Sequence, residues 1–144
     1  MENAVFKDLT PVLEKDKRVK FAYLFGSRAR GQAGPLSDTD LAVYLDRIVN
    51  AGAYRLRLME KLAKALKTDR LDLVVLNQAP PLLRHEVIKY GRLLKDDAAR
   101  RVPFEAEAIR EFLDTAYLRR VQQVALREEI KKGIAVGSQR HGRI

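Results

Sequence analysis

Two short stretches of this chain hold the residue types best suited to chemistry. The first is Leu24-Phe25-Gly26-Ser27-Arg28-Ala29-Arg30-Gly31; ten residues after Ser27 comes the second, Asp38-Thr39-Asp40-Leu41. Glycine lets the backbone approach a phosphate, and free N–H groups opening a helical turn favour anions. The Ser27 hydroxyl adds a donor, and Arg28 and Arg30 bring charge to a departing pyrophosphate, whichever of the two turns inward. Asp38 and Asp40 share one face of an extended chain, so both can reach a single hard cation such as Mg²⁺.

That combination suits nucleotidyl transfer, in which the α-phosphate of a nucleoside triphosphate is attacked and pyrophosphate leaves. Two divalent cations roughly 3.5–4 Å apart can clamp the attacking and leaving oxygens. A second cation needs a further carboxylate from a neighbouring strand. Asp72, inside the apolar run Leu71-Asp72-Leu73-Val74-Val75-Leu76, is the candidate. An unpaired carboxylate there is costly to bury, so a metal, Arg70 or Lys20 should compensate it. Taken alone, Gly-Ser fits an ordinary strand-to-helix turn with a serine cap and two solvated arginines; the paired aspartates lift it above that reading.

The elements that must position these residues follow from periodicity. A helix is expected over 3–14, with Pro11 starting or kinking it, and a strand over 19–25 ended by Gly26. Ser27 caps a short helical turn through Arg30, and Gly31, Gly34 and Pro35 mark a loop. In the strand from Asp40 to Leu45, Thr39, Leu41, Val43 and Leu45 fall on one face, while Asp38, Asp40, Ala42 and Tyr44 fall on the other. A helix over 51–67, the strand over 71–76, a helix from Pro80-Pro81 to Tyr90 and a short edge strand over 92–95 follow. The last element is a long helix over 104–132, with Ile109, Phe112, Leu113, Ala116, Tyr117, Val121, Val124 and Ala125 as a mainly core-facing stripe ended by Gly133. The order is that of an α/β (α+β) domain with a small mixed sheet flanked by helices. Residues 1–101 form the core, 102–133 a C-terminal helix packed on it, and 134–144 a basic mobile tail.

At 144 residues the chain is one domain by size, and without cysteine it has no disulfide, zinc-thiolate site or cysteine nucleophile. No apolar run nears the ~18 residues of a membrane span, and the start lacks a secretory pattern, so a cytoplasmic protein is expected. Net charge is +9, and from Tyr117 onward seven Lys or Arg face only Glu128 and Glu129. That segment has no aromatic beyond Tyr117 for base stacking, so protein docking or a solvated tail is preferred to nucleic acid as the main partner. His85 and His141 lack a second histidine for metal ligation; Tyr44 and Tyr54 read as core aromatics, and Asp46 as a solvated turn residue.

The glycine-serine stretch with Asp38-Thr39-Asp40 resembles the signature of the DNA polymerase β-type nucleotidyltransferase superfamily. More closely, it resembles the minimal nucleotidyltransferases of prokaryotes, the MntA-like antitoxins of HEPN/MNT toxin–antitoxin pairs. The resemblance covers roughly Val19 to Lys95, and Asp72 stands where the third acidic residue of that family is expected. It implies a polymerase β-like fold with a two-metal Mg²⁺ site on Asp38, Asp40 and Asp72, and ATP phosphates on Gly26, Ser27, Arg28 and Arg30. It also implies transfer of AMP from ATP to a tyrosine of a cognate HEPN ribonuclease toxin, which is thereby silenced. Two other functions stay open: an antitoxin that neutralises by docking alone, and a transferase acting on a small molecule or RNA end.

Overall fold

The computed structural model describes residues 2–27, 29–31, 38–46 and 50–136. Arg28, the Gly34-Pro35 loop and the tail from 137 lie outside the described residues. Among the described residues the elements are α1 (Glu2–Lys15), β1 (Val19–Phe25), β2 (Thr39–Leu45), α2 (Ala51–Leu66), β3 (Leu71–Val75), a 3₁₀ turn (Leu76–Gln78), α3 (Pro81–Tyr90), β4 (Arg92–Lys95) and α4 (Ala98–Val136). The strands form one mixed sheet in the order β3-β2-β1-β4. β1 runs antiparallel to β2 and β4, and β2 runs parallel to β3.

Alternation along β2 splits the core as the sequence predicts. Leu41, Val43 and Leu45 join Val19, Ala22 and Leu24 under Leu9 and Leu13 of α1 and Leu58 and Leu62 of α2. Ala42 joins Phe21, Tyr23, Leu76 and Val87 on the other face, with Tyr44 and Phe104 packed against them. Tyr44 stacks on Phe21 with ring centroids 4.8 Å apart, and Tyr54 is buried, so both tyrosines are core residues. Asp46 is not a solvated turn residue: its N–H donates to Arg18 O at 2.8 Å and its carboxylate lies 3.8 Å from Lys20.

Pro103 suggests a start for the last helix near Phe104, yet α4 begins at Ala98. Tertiary bonds hold the extra turn. Arg101 Nε donates to Asp96 at 2.6 Å, its Nη1 donates to Glu105 at 2.7 Å, and the Tyr23 hydroxyl donates to Glu105 at 2.8 Å. Gly133 does not stop the helix, since one interior glycine costs only about 1 kcal/mol.

By their internal contacts, residues Met1–Ile109 and Arg110–Ile144 form two units. In the second, Arg119 lies over the Phe112 ring at 4.2 Å and donates to Phe112 O at 3.1 Å. The expected core stripe is corrected here: Ile109, Leu113, Val121 and Val124 are exposed, as are Leu118, Leu126 and Ile130. At 100° per residue Ile109, Leu113, Val121 and Val124 lie within about 120° of one another, whereas Leu118, Leu126 and Ile130 lie on the rest of the circumference, so one packing partner could not cover all seven. Among the described residues, no helix is long and apolar enough to cross a membrane.

Candidate active site

β1 delivers the chain to Gly26, which adopts a left-handed φ of +75°. The turn after it closes through Arg30 N–H to Gly26 O at 3.3 Å, so Ser27 opens a helical turn as expected. A side chain at position 26 is disfavoured twice over. The backbone conformation disfavours one, and a Cβ there would collide with the Asp40 carboxylate. The phosphate-type bend and the first strand carboxylate are thus in direct contact.

Asp40 is half-buried on β2, opposite Phe25 of β1 on one side and Asp72 of β3 on the other. Asp38 stands one residue before β2 and is exposed. Burial raises the proton affinity of the Asp40 carboxyl above the usual carboxylate range, and the negative charges of Asp72 and Asp38 raise it further. Among the described residues no cation pairs with Asp40. No group of three His, Asp or Glu side chains among them stands close enough to form a ready-made cation site. The arrangement is an in-register pair with a third charge nearby. All its donors are hard oxygens, and Asp40 at its centre has no counter-charge among the described residues, so they suit a divalent cation of the Mg²⁺ class.

Asp72 differs from expectation. β3 is a sheet edge, so the Asp72 side chain is 59% exposed and carries little burial cost. Its partner is neither Arg70 nor Lys20 but Arg55 of α2, at 3.6 Å. Arg55 Nε also donates to Leu73 O at 2.7 Å, occupying a carbonyl of β3. The sequence contains one clue to this residue: Arg55 interrupts the apolar face of α2 beside the buried Tyr54 and Leu58. Arg30 is held on α3, 3.3 Å from Glu86 and with its guanidinium 4.0 Å over the Tyr90 ring. Arg28 lies outside the described residues. His85 is half-buried on α3, with no metal-binding cluster around it among the described residues.

Comparison with known proteins decides the family. Residues 7–100 match the family described as polymerase beta, nucleotidyltransferase. The chain belongs to the polymerase β-type nucleotidyltransferases. Its nucleotidyltransferase domain also resembles solved structures along nearly their whole length. One is a toxin–antitoxin crystal structure with AMP-PNP, 29% identical, covering 90% of this chain and 98% of that one, with a TM-score of 0.65. Another holds the tri-AMPylated HEPN toxin of Shewanella oneidensis in complex with its MNT antitoxin, 26% identical over 90% of this chain and 99% of that one, TM-score 0.65. A third is the MntA–HepT toxin–antitoxin, 28% identical over 90% and 96%, TM-score 0.59. No curated protein matches the chain. The Asp40–Asp72 pair, at the Gly26 end of β1 and β2, lies within the matched residues.

Proposed function

We propose that this chain is the cytoplasmic antitoxin of a HEPN/MNT pair and transfers AMP from ATP to a tyrosine of its HEPN toxin with Mg²⁺. The observation that carries the reading is the placement of Asp40 and Asp72 in register on adjacent strands, with Asp40 against Gly26 and no cation of the described chain neutralising it. On this reading residues 1–101 contain the transfer chemistry.

The tyrosine oxygen forms a bond to the α-phosphorus while the bond to pyrophosphate breaks. Gly26 and Ser27 give N–H and hydroxyl donors to the triphosphate, and Asp38, Asp40 and Asp72 would hold Mg²⁺, which would supply charge neutralisation for the reagent and the leaving pyrophosphate. Asp72, at the open edge of the sheet, helps take the proton of a hydroxyl whose free pKa is near 10. Arg30 reaches the pyrophosphate by exchanging Glu86 for it; the existing pair is exposed and exposed pairs contribute little, so the exchange costs little. Orientation and fixed charge provide most of the acceleration.

Neutralisation by docking alone is the second reading, favoured by the exposed apolar side chains of Leu113, Leu118, Leu126 and Ile130. One experiment separates the two. The protein is incubated with the HEPN protein encoded beside it, ATP and Mg²⁺, and the partner is weighed intact and mapped. Wild type adds whole AMP units to tyrosine, Asp38→Ala and Asp40→Ala add none, and Asp72→Asn transfers about 10²-fold more slowly while retaining ATP. An Asp40→Ala variant that protects cells as well as wild type hands the function to docking.

A further inference from the structure

At the end of β1 away from Gly26, a groove of about 550 Å³ opens between the C-terminus of α1 and α2. Lys15, Lys17, Arg18, Arg57 and Lys61 line it above Tyr54. All five cations are exposed, and among the described residues none makes an ion pair. The one carboxylate in the lining, Asp16, accepts the Arg18 backbone N–H at 3.0 Å. Tyr54, Arg57 and Lys61 are three and four residues apart on α2, which places them on one face with about 6 Å of rise between the two charges. The α1 C-terminus next to them would normally repel an anion. Here the Lys95 ammonium binds Leu13 O at 2.8 Å and Asp16 O at 2.9 Å, which offsets that negative end.

We propose that this groove binds nucleic acid through its phosphate backbone, independently of the transfer site. Its polar recognition elements are cationic, with Asp16 already engaged by the Arg18 backbone. The Tyr54 ring is 9% exposed and lies under the Arg18 guanidinium at 5.8 Å, so no aromatic face is left for base stacking. An acidic protein segment would gain most from a pocket for an apolar anchor, and here Tyr54 is buried and Val12 is half-buried against the core. A single mononucleotide is normally held by an enclosed pocket with convergent polar groups, which an open groove of flexible side chains does not supply. A backbone of repeated phosphates needs neither anchor nor enclosure, and gains affinity from each counterion released.

The test is fluorescence anisotropy with the full chain and a labelled single-stranded RNA of about 15 nucleotides. Five phosphate contacts imply a loss of affinity of about a hundredfold between roughly 50 and 200 mM salt. Arg57→Gln/Lys61→Gln should weaken binding at low salt about tenfold or more and lower the salt slope by about 1.4. Lys15→Gln/Lys17→Gln, on the other wall, should do the same. Lys131→Gln/Lys132→Gln removes equal charge from the second unit and should change affinity less than about twofold. Equal losses in all three variants would show diffuse attraction and overturn the assignment. So would an absence of binding at low salt, or tighter binding of labelled polyglutamate than of RNA.

Discussion

Two acidic clusters lie on the same face of the sheet and meet opposite fates. Around Arg101, the carboxylates of Asp96 and Glu105 share one guanidinium, and the Tyr23 hydroxyl completes the set. Burial and the bond to Glu105 hold that hydroxyl protonated far above its usual range. Around Gly26, Asp40 faces Asp72 and Asp38 with no cation of its own among the described residues, and its proton affinity rises because of burial and their charge. In the first cluster both carboxylates are bonded to the one guanidinium, and it acts as a clamp on the start of α4. In the second, Arg55 stands beside Asp72 but Asp40 is left without a cation, as in a site whose missing charge arrives with a ligand.

Substitutions should separate the clusters by which quantity they move. The largest effect is expected at the junction of bend and carboxylate. Gly26→Ala puts a Cβ into the Asp40 carboxylate at a left-handed φ, so AMP transfer should fall about 10²-fold in a steady-state assay, with a stability loss near 1 kcal/mol. Arg101→Met should do the reverse. It strands Asp96 and Glu105 beside the sheet and should lower unfolding free energy by about 2 kcal/mol in urea titration, with little change in the turnover of folded protein. A smaller effect should appear in the pH dependence of melting without divalent cations. The folded chain binds the Asp40 proton more tightly than the unfolded chain, so wild type loses stability as pH rises through the window just above the usual carboxylate value. Asp40→Asn should therefore melt level with wild type near pH 3 and above it at pH 7, and Mg²⁺ should narrow the gap. A gap of the same sign at Asp96→Asn would erase the distinction between the clusters.

Much of this site is legible in the sequence because its signals are local. The glycine before Ser27, the interval to Asp38 and the two-residue step to Asp40 depend only on a strand ending and another beginning. The register of Asp40 with Asp72 needs only that two apolar strands be neighbours. The pairing of Asp72 with Arg55 is not local: it arises because α2 crosses the sheet edge and one arginine reaches a β3 carbonyl. The same holds for the early start of α4. Pro103 points to a later beginning, and the bonds that override it include one between Tyr23 and Glu105, 82 residues apart. Exposure of Asp72 likewise depends on β3 lying at the sheet edge, and hydrophobic spacing does not report that.

The proposed function requires that the Asp40 and Asp72 carboxylates hold a metal-bound nucleotide. The direct measurement is calorimetric titration of a non-hydrolysable ATP analogue with and without Mg²⁺, in wild type, Asp40→Asn and Arg101→Met. Wild type and Arg101→Met should bind at least about tenfold more tightly with Mg²⁺, and Asp40→Asn should lose that gain. Equal gains in all three proteins would contradict the account.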